Sequence, residues 1–456
     1  MVRNFNGFIQ PAKRIASRHL RAQRPTAGLL ALVSSCVTLV AAPKPALSLK
    51  RPNMTSLQGL VSWPWSGWIH WRDDPAQAHR AWSMGADLAL QSMRSGYEAL
   101  TLDEGIGESM SRRAPTMCLG WVGLSGPLSR RLSATIGWYR TDQGLVQYQT
   151  EGLAQRFLFQ RALRTNDVVV WNLSVTLGAR LLVGLGLGFE RMAMDQSMTL
   201  WPGDSRSRPT ADTTFDLPVH LNLSGYRARL GLGLGWSGPT WLTILAAAEL
   251  LTPIRMTGRF VASPPKPSVN LALKASQGSA SLERGLAIRS RIGLTAEPPY
   301  AIVALGAGME GPGYRRNMIS IDDIVVTSPT GSGLLTELPA AWQPKAWTWS
   351  VHTTVGARLD RWGLRILGGF SATSPNRSLC GRLSEKPDFR AGFSLLVRMG
   401  SAMLAASYGR QWTETTCDHR FPAAFNPSAG PTRAASERGR TMTTDIAAFT
   451  MITTMP

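Results

Sequence analysis

Arginine is the residue type in which this sequence concentrates its chemistry. Two short segments space arginines by two: Arg227 with Arg229, and Arg289 with Arg291. In an extended chain residues i and i+2 share a face, so each segment would present two guanidinium groups to one surface. A guanidinium grips a carboxylate through two parallel hydrogen bonds and stays charged at any ordinary pH. These four residues are therefore candidate ligand-binding groups for an anion. Arg180, Arg358, Arg365, Arg390 and Arg398 fall in the same phase of their own segments, against few acids such as Asp87 and Glu190.

Other chemistries find less support. Gly306-Ala307-Gly308-Met309-Glu310-Gly311 matches a dinucleotide pattern, but Pro312 and Gly313 follow, so no helix opens there to hold a phosphate. The glycine runs 184/186/188 and 231/233/235 are read as small residues on one face of a strand. The six histidines are scattered without zinc-site spacing, so neither a metal nor any other cofactor is expected. His220 and Ser224 share a segment, yet four residues of strand hold them about 13 Å apart, too far for a nucleophile and its base. The chain is not read as an enzyme. It is basic, but its arginines alternate with leucines instead of forming a patch, and nucleic acid is excluded as a partner.

The elements that carry these residues are strands. Of the 456 residues only 17% are charged, while 44 Gly and 29 Pro argue against helical bundles and coiled coils. Apolar residues come in blocks of about ten, too short for a membrane helix. The dominant signal has period two. Leu286, Ile288, Ser290, Ile292 and Leu294 alternate with Ala287, Arg289, Arg291, Gly293 and Thr295; Leu230, Leu232, Leu234 and Trp236 alternate with Arg229, Gly231, Gly233 and Gly235. Such segments recur at 82–93, 116–125, 130–140, 168–180, 182–192, 217–236, 240–250, 284–296, 300–310, 346–359, 363–373, 388–399, 402–413 and 441–454. Tight turns at Gly126-Pro127, Arg180-Leu181, 237–239, 297–299, 360–362 and 399–401 alternate with long loops.

Fourteen two-faced strands with short turns on one rim and long loops on the other make an all-β chain, a transmembrane antiparallel β-barrel. The polar faces carry Gly, Ser, Thr, Asn and Arg instead of Lys and Glu. Trp138, Tyr139, Trp201, Trp236, Trp241, Trp347, Trp349, Trp362, Tyr408 and Trp412 lie near strand ends, as a lipid-interface girdle requires. The greasy faces then meet hydrocarbon and the arginines face an enclosed, basic lumen.

Residues 1–48 read as a signal peptide: basic residues precede an uncharged apolar run from Thr26 to Ala42, with cleavage expected near Ser48. Removing them takes away seven basic residues and no acid from a formal net charge of +20, leaving +13. Residues 49–81 form a short N-terminal plug-like segment, and 82–456 the barrel. Cys118, Cys380 and Cys417 remain. Cys380 and Cys417 flank the hairpin 388–413 on its long-loop side and are a candidate disulfide in an oxidising compartment.

Several phrases in these segments resemble outer-membrane long-chain fatty-acid transporters of the FadL type, a family that includes aromatic-hydrocarbon channels. Asp74-Pro75-Ala76, followed by Ser83 to Ala86 and Tyr97, is similar to its Asn-Pro-Ala-containing first strand, with Asp74 in place of Asn. Thr252-Pro253 with Thr257 to Phe260 is similar to a strand ending in Ser-Pro and a Gly-Asp-Phe-like loop. Leu338-Pro339, Trp342 and Ser374-Pro375-Asn376 resemble its late motifs. The chain departs from the family in its short 49–73 segment and in closing on Met451 to Pro456, with Phe449 as the nearest aromatic. The resemblance implies passive uptake of hydrophobic small molecules, most of all long-chain fatty acids, through the outer membrane of a Gram-negative bacterium. External loops and the lumen would capture cargo, an N-terminal hatch containing Asp74, Pro75 and Ala76 would obstruct the barrel, and cargo would leave sideways through the wall. Expected partners are a hydrophobic or amphiphilic ligand, outer-membrane lipid and lipopolysaccharide, and the barrel-assembly machinery, with the protein itself a monomer. The alternative is a barrel that transports nothing and uses its long loops for adhesion or surface structure.

Overall fold

A computed structural model gives the fold. It describes residues 82–454 apart from 102–104, 113–115, 148–158, 179, 201–216, 239–241, 264–271, 274–275, 297, 299, 312–317, 329–330, 341–346, 360–362, 375–387, 421–423, 427–429 and 433–434. The expected signal peptide, the hatch motif Asp74-Pro75-Ala76, and Cys380 lie outside the described residues. Cys417 falls within a strand, so the Cys380–Cys417 pairing remains an expectation.

Among the described residues there is no helix. The strands are β1 (Ser83–Thr101), β2 (Gly105–Arg112), β3 (Thr116–Pro127), β4 (Leu132–Gln147), β5 (Phe159–Leu177), β6 (Leu181–Leu200), β7 (Leu217–Ser237), β8 (Leu242–Leu251), β9 (Ile254–Ala262), β10 (Ala272–Leu273), β11 (Gln277–Arg284), β12 (Ala287–Ala296), β13 (Ala301–Gly311), β14 (Met318–Ser328), β15 (Gly331–Pro339), β16 (Thr348–Leu359), β17 (Leu364–Thr373), β18 (Asp388–Met399), β19 (Ala402–Arg420), β20 (Ala424–Asn426), β21 (Gly430–Thr432) and β22 (Ala435–Thr454). All pairings are antiparallel neighbours, and β22 returns to β1 along Thr454↔Ser83 to Ala435↔Thr101, which closes the barrel. Five pairs share a stave, β2 with β3, β8 with β9, β11 with β12, β13 with β14 and β15 with β16; with β1, β4–β7, β17–β19 and β22 this gives fourteen. Full closure leaves no open edge to template aggregation or to strand its hydrogen bonds in lipid.

The interruptions have local causes. Pro253 has no N–H to donate, so the ladder between β7 and the β8/β9 stave breaks there. Thr252 repairs the gap: its N–H donates to the Ala228 carbonyl at 3.0 Å, and its hydroxyl oxygen accepts the Ala228 N–H at 3.0 Å. Ser374 acts similarly at the upper end of β16 and β17, where its hydroxyl accepts the Trp349 N–H at 2.9 Å.

Short turns close the lower rim, some displaced from their expected positions. Gly126-Pro127 belongs to β3, and the turn is Leu128–Arg131, with Ser129 Oγ accepting the Arg131 and Leu132 N–H groups. The next turn centres on Gly178, whose φ of 64° only glycine adopts without strain, instead of on Arg180-Leu181. Gly363 and Gly400, at φ of 61° and 60°, serve the same purpose before β17 and between β18 and β19.

The faces divide as the alternation requires. Outward Leu232, Leu234, Ile292, Val355 and Phe393 are each more than half exposed, with Leu232 at 60% and Ile292 at 57%. A water-soluble protein does not surround itself with a continuous apolar belt of this kind; a barrel in lipid requires it. Trp236, Trp347, Trp349, Tyr408 and Trp412 lie in this outer face. Tyr139 does not: Trp138 and Tyr139 are adjacent and must point to opposite sides, and Tyr139 is turned inward at 1% exposure. Inside the lower barrel, Trp121, Val168, Val170, Ile302, Leu367, Leu396, Met403 and Ile452 from both sides of the ring form one buried apolar cluster.

Candidate functional site

Above that apolar base lies an ionic tier. Arg227 and Arg229 project inward from β7, and Arg289 and Arg291 from β12, all buried or nearly so. Their strands are separated only by the β8/β9 stave, and β8 contributes Glu249 between them. The cross-strand row Gly186, Gly231, Glu249, Arg289, Glu310 runs through β6, β7, β8, β12 and β13. Period two on each strand and the hydrogen-bond register between strands therefore build the site together.

The contacts are direct. Arg227 meets Glu190 at 2.7 Å, with both side chains almost wholly buried. Arg229 donates to Glu249 at 2.6 Å and to the Tyr139 hydroxyl. Arg289 donates to Glu310 at 2.8 Å and lies 3.4 Å from Glu249, while Arg291 donates to the other oxygen of Glu249. Glu249 thus receives three guanidinium groups. A buried ion needs such compensation, because uncompensated transfer from water costs several kcal/mol or more.

The four arginines fixed on in the sequence are therefore brought into one cluster. Glu249 and Glu310, which face them, were not anticipated, so the lumen is less purely basic than expected: four arginines meet three glutamates in this tier among the described residues. The signal for Glu249 was available, since it continues the inward phase of Leu245 and Ala247. Arg180 and Arg398 are corrections of another kind. Both are exposed, Arg180 in the turn before β6 and Arg398 near the turn after β18, where its guanidinium donates to the Gly400 carbonyl.

Two apolar regions frame the tier. The base cluster lies below it. Above it, inward Met192 and Met194 of β6, Leu221 and Leu223 of β7, Met256 and Phe260 of β9, Leu282 of β11 and Ile319 of β14 are fully buried or nearly so. Beside the tier the wall carries almost no side chains, because the inward positions 184, 186 and 188 of β6 and 231, 233 and 235 of β7 are glycine. Neighbouring groups close over these glycines: a Cβ at Gly188 would come to 2.8 Å from the Val169 carbonyl oxygen, and one at Gly231 to 3.5 Å from the Glu249 Cγ. On the lipid side, Ile244, Ile292, Leu294, Leu305, Val351 and Phe370 line an apolar groove of about 570 Å³ floored by Gly293, Gly306 and His352.

His220 and Ser224 face outward on β7, and His220 Nδ1 lies 3.6 Å from Asp195. Among the described residues no group of three or more His, Cys, Asp or Glu could hold a metal ion.

No protein-family model and no curated protein matches the sequence. Solved structures do match in fold. A FadL homologue of Pseudomonas aeruginosa aligns with a TM-score of 0.63 at 10% identity, covering 89% of this chain and 98% of that one. The Pseudomonas putida toluene transporter TodX aligns at 0.55 and 12% identity, covering 90% and 100%. The Ralstonia pickettii toluene transporter TbuX aligns at 0.50 and 11%, covering 83% and 92%. The chain has the FadL-like fourteen-stranded barrel fold. At these identities the likeness speaks to the fold alone.

Proposed function

We propose that this protein is a channel in the outer membrane of a Gram-negative bacterium for passive uptake of hydrophobic small molecules, with long-chain fatty acids as its cargo. The carrying observation is the layered lumen: arginines clustered between two apolar regions, beside a stretch of wall whose inward positions are glycine. An alkyl chain gains about 0.8 kcal/mol per methylene moved from water to an apolar pocket, so a long tail is held without covalent chemistry. A guanidinium cluster adds discrimination in favour of a carboxylate head over a neutral hydrocarbon. The names of the FadL homologue and of the two toluene transporters support the hydrophobic class of cargo; the arginines support the anionic choice within it. The barrel acts as a monomer among outer-membrane lipid and lipopolysaccharide, placed there by the barrel-assembly machinery.

Uptake of labelled oleate and of labelled toluene by cells carrying the intact gene or a deletion tests this reading. The expected result is oleate uptake reduced several-fold in the deletion strain and toluene uptake little changed. Equal oleate uptake in both strains defeats the transport reading. Loss of toluene uptake alone defeats the fatty-acid assignment.

A further inference from the structure

Three guanidinium groups converging on one carboxylate are a built carboxylate seat, and in this structure Glu249 sits in it. Its two oxygens are shared among Arg229, Arg289 and Arg291, its side chain is buried, and those three arginines come from the strands on either side of β8. We infer that Glu249 is a resident stand-in for the cargo's carboxylate: an anionic head group binds by displacing it from the three arginines. The inference deepens the proposed function and rests on its assignment of an acidic amphiphile as cargo.

The physical ground is exchange. A carboxylate that replaces Glu249 leaves the arginines compensated, and the displaced Glu249 takes up a proton from water so that no buried anion is left unpaired, whereas adding a second anion to an already occupied seat would be repulsive. Gly231 is its direct cross-strand neighbour, and a Cβ there would stand 3.5 Å from the Glu249 Cγ, so the side chain lies over bare backbone and not against another side chain of β7. Weak net binding suits a channel, whose site must be favourable enough to enter and still release its cargo. Glu190 differs, since its bonds go to Arg227, one strand pair away from the three-arginine seat.

The test compares two probes of equal tail length, laurate and 1-dodecanol, by equilibrium dialysis against the full-length protein in detergent micelles. Glu249→Gln removes the competing charge and is expected to tighten laurate binding at least tenfold while leaving dodecanol within twofold. Glu249→Asp keeps the charge but is one methylene too short to serve all three arginines, and is expected to give a smaller gain, roughly threefold, for laurate alone. Heat-modifiable mobility reports folding; where Glu249→Gln does not fold, the aspartate variant decides. Laurate affinity unchanged or weakened in a folded variant overturns the inference, as does an equal gain for dodecanol. Dodecanol binding by the parent with no laurate gain in either variant defeats the stand-in while leaving a hydrophobic channel. Absence of binding of either probe by any of the three proteins defeats the cargo reading, and the inference with it.

Discussion

Strands β6 and β7 pair over their whole length, yet their two halves have opposite faces apolar. In the lower half the outward residues are Leu185, Leu187, Leu230, Leu232 and Leu234, and the inward ones are glycines apart from Leu182 and Arg229. In the upper half the inward residues are Met192, Met194, Leu221 and Leu223, and the outward ones are Arg191, Asp195, His220 and Asn222. The reversal falls at the inward Glu190–Arg227 pair. One unbroken ladder thus crosses two solvents. Where hydrocarbon lies outside, the greasy side turns outward; where water lies outside, the same side of the sequence pattern must become an interior. The ionic tier begins at that level and extends down to the row of Glu249 and Arg289, where the outward neighbours Leu187, Leu230, Leu250 and Ile288 still belong to the apolar belt.

Breaking the tier should have the largest effect. Glu190→Leu leaves Arg227 buried without the carboxylate it now meets at 2.7 Å, and the expected loss is about 3–5 kcal/mol. Urea unfolding of the protein in liposomes measures it; a loss below about 1 kcal/mol would mean that water already compensates both charges and that the boundary has no energetic weight. Next comes a test of the two solvents on one strand. Leu232→Arg places a cation in the lipid band at a cost of about 2–4 kcal/mol. His220→Arg, on the same outward face of β7, should stay within about 0.5 kcal/mol. Similar losses at the two positions would show that a single solvent surrounds the whole strand.

The lower half was legible in the sequence because two independent patterns coincide there: period two along each segment, and glycine or tight-turn chemistry between segments. All fourteen staves are where the alternation put them. Several of their upper ends were not, although 217–236, 363–373 and 388–399 match β7, β17 and β18. The expected 182–192 extends to Leu181–Leu200, and 402–413 to Ala402–Arg420. An apolar alternation that changes face, as β6 does near Glu190, reads as an ending when only one face is followed, although the backbone ladder continues. The inward direction of Arg227, Arg229, Arg289 and Arg291 followed from parity. Their meeting with Glu249 and Glu310 depends on register between strands, which no single segment contains. Tyr139 was misplaced for a simpler reason: next to Trp138, only one of the two rings could join the outer girdle.

The smallest effect is expected where the upper outer face meets water. Arg255 of β9 and Glu283 of β11 are direct cross-strand partners, as the buried pair Glu190 and Arg227 are on β6 and β7. Here, however, the charged atoms stand 3.6 Å apart and the side chains are 67% and 55% exposed. In water each charge keeps most of its hydration, attraction is screened, and fixing two long side chains in one arrangement cancels most of what is left. A double-mutant cycle of Arg255→Ala and Glu283→Ala in liposomes should therefore give a coupling below about 0.5 kcal/mol that vanishes in 0.5 M salt. A coupling comparable with that of the buried pair, and insensitive to salt, would place this row in a low-dielectric layer. The lipid boundary would then have to move upward past β9 and β11, and the reversal of faces on β7 would need a cause other than the change of solvent.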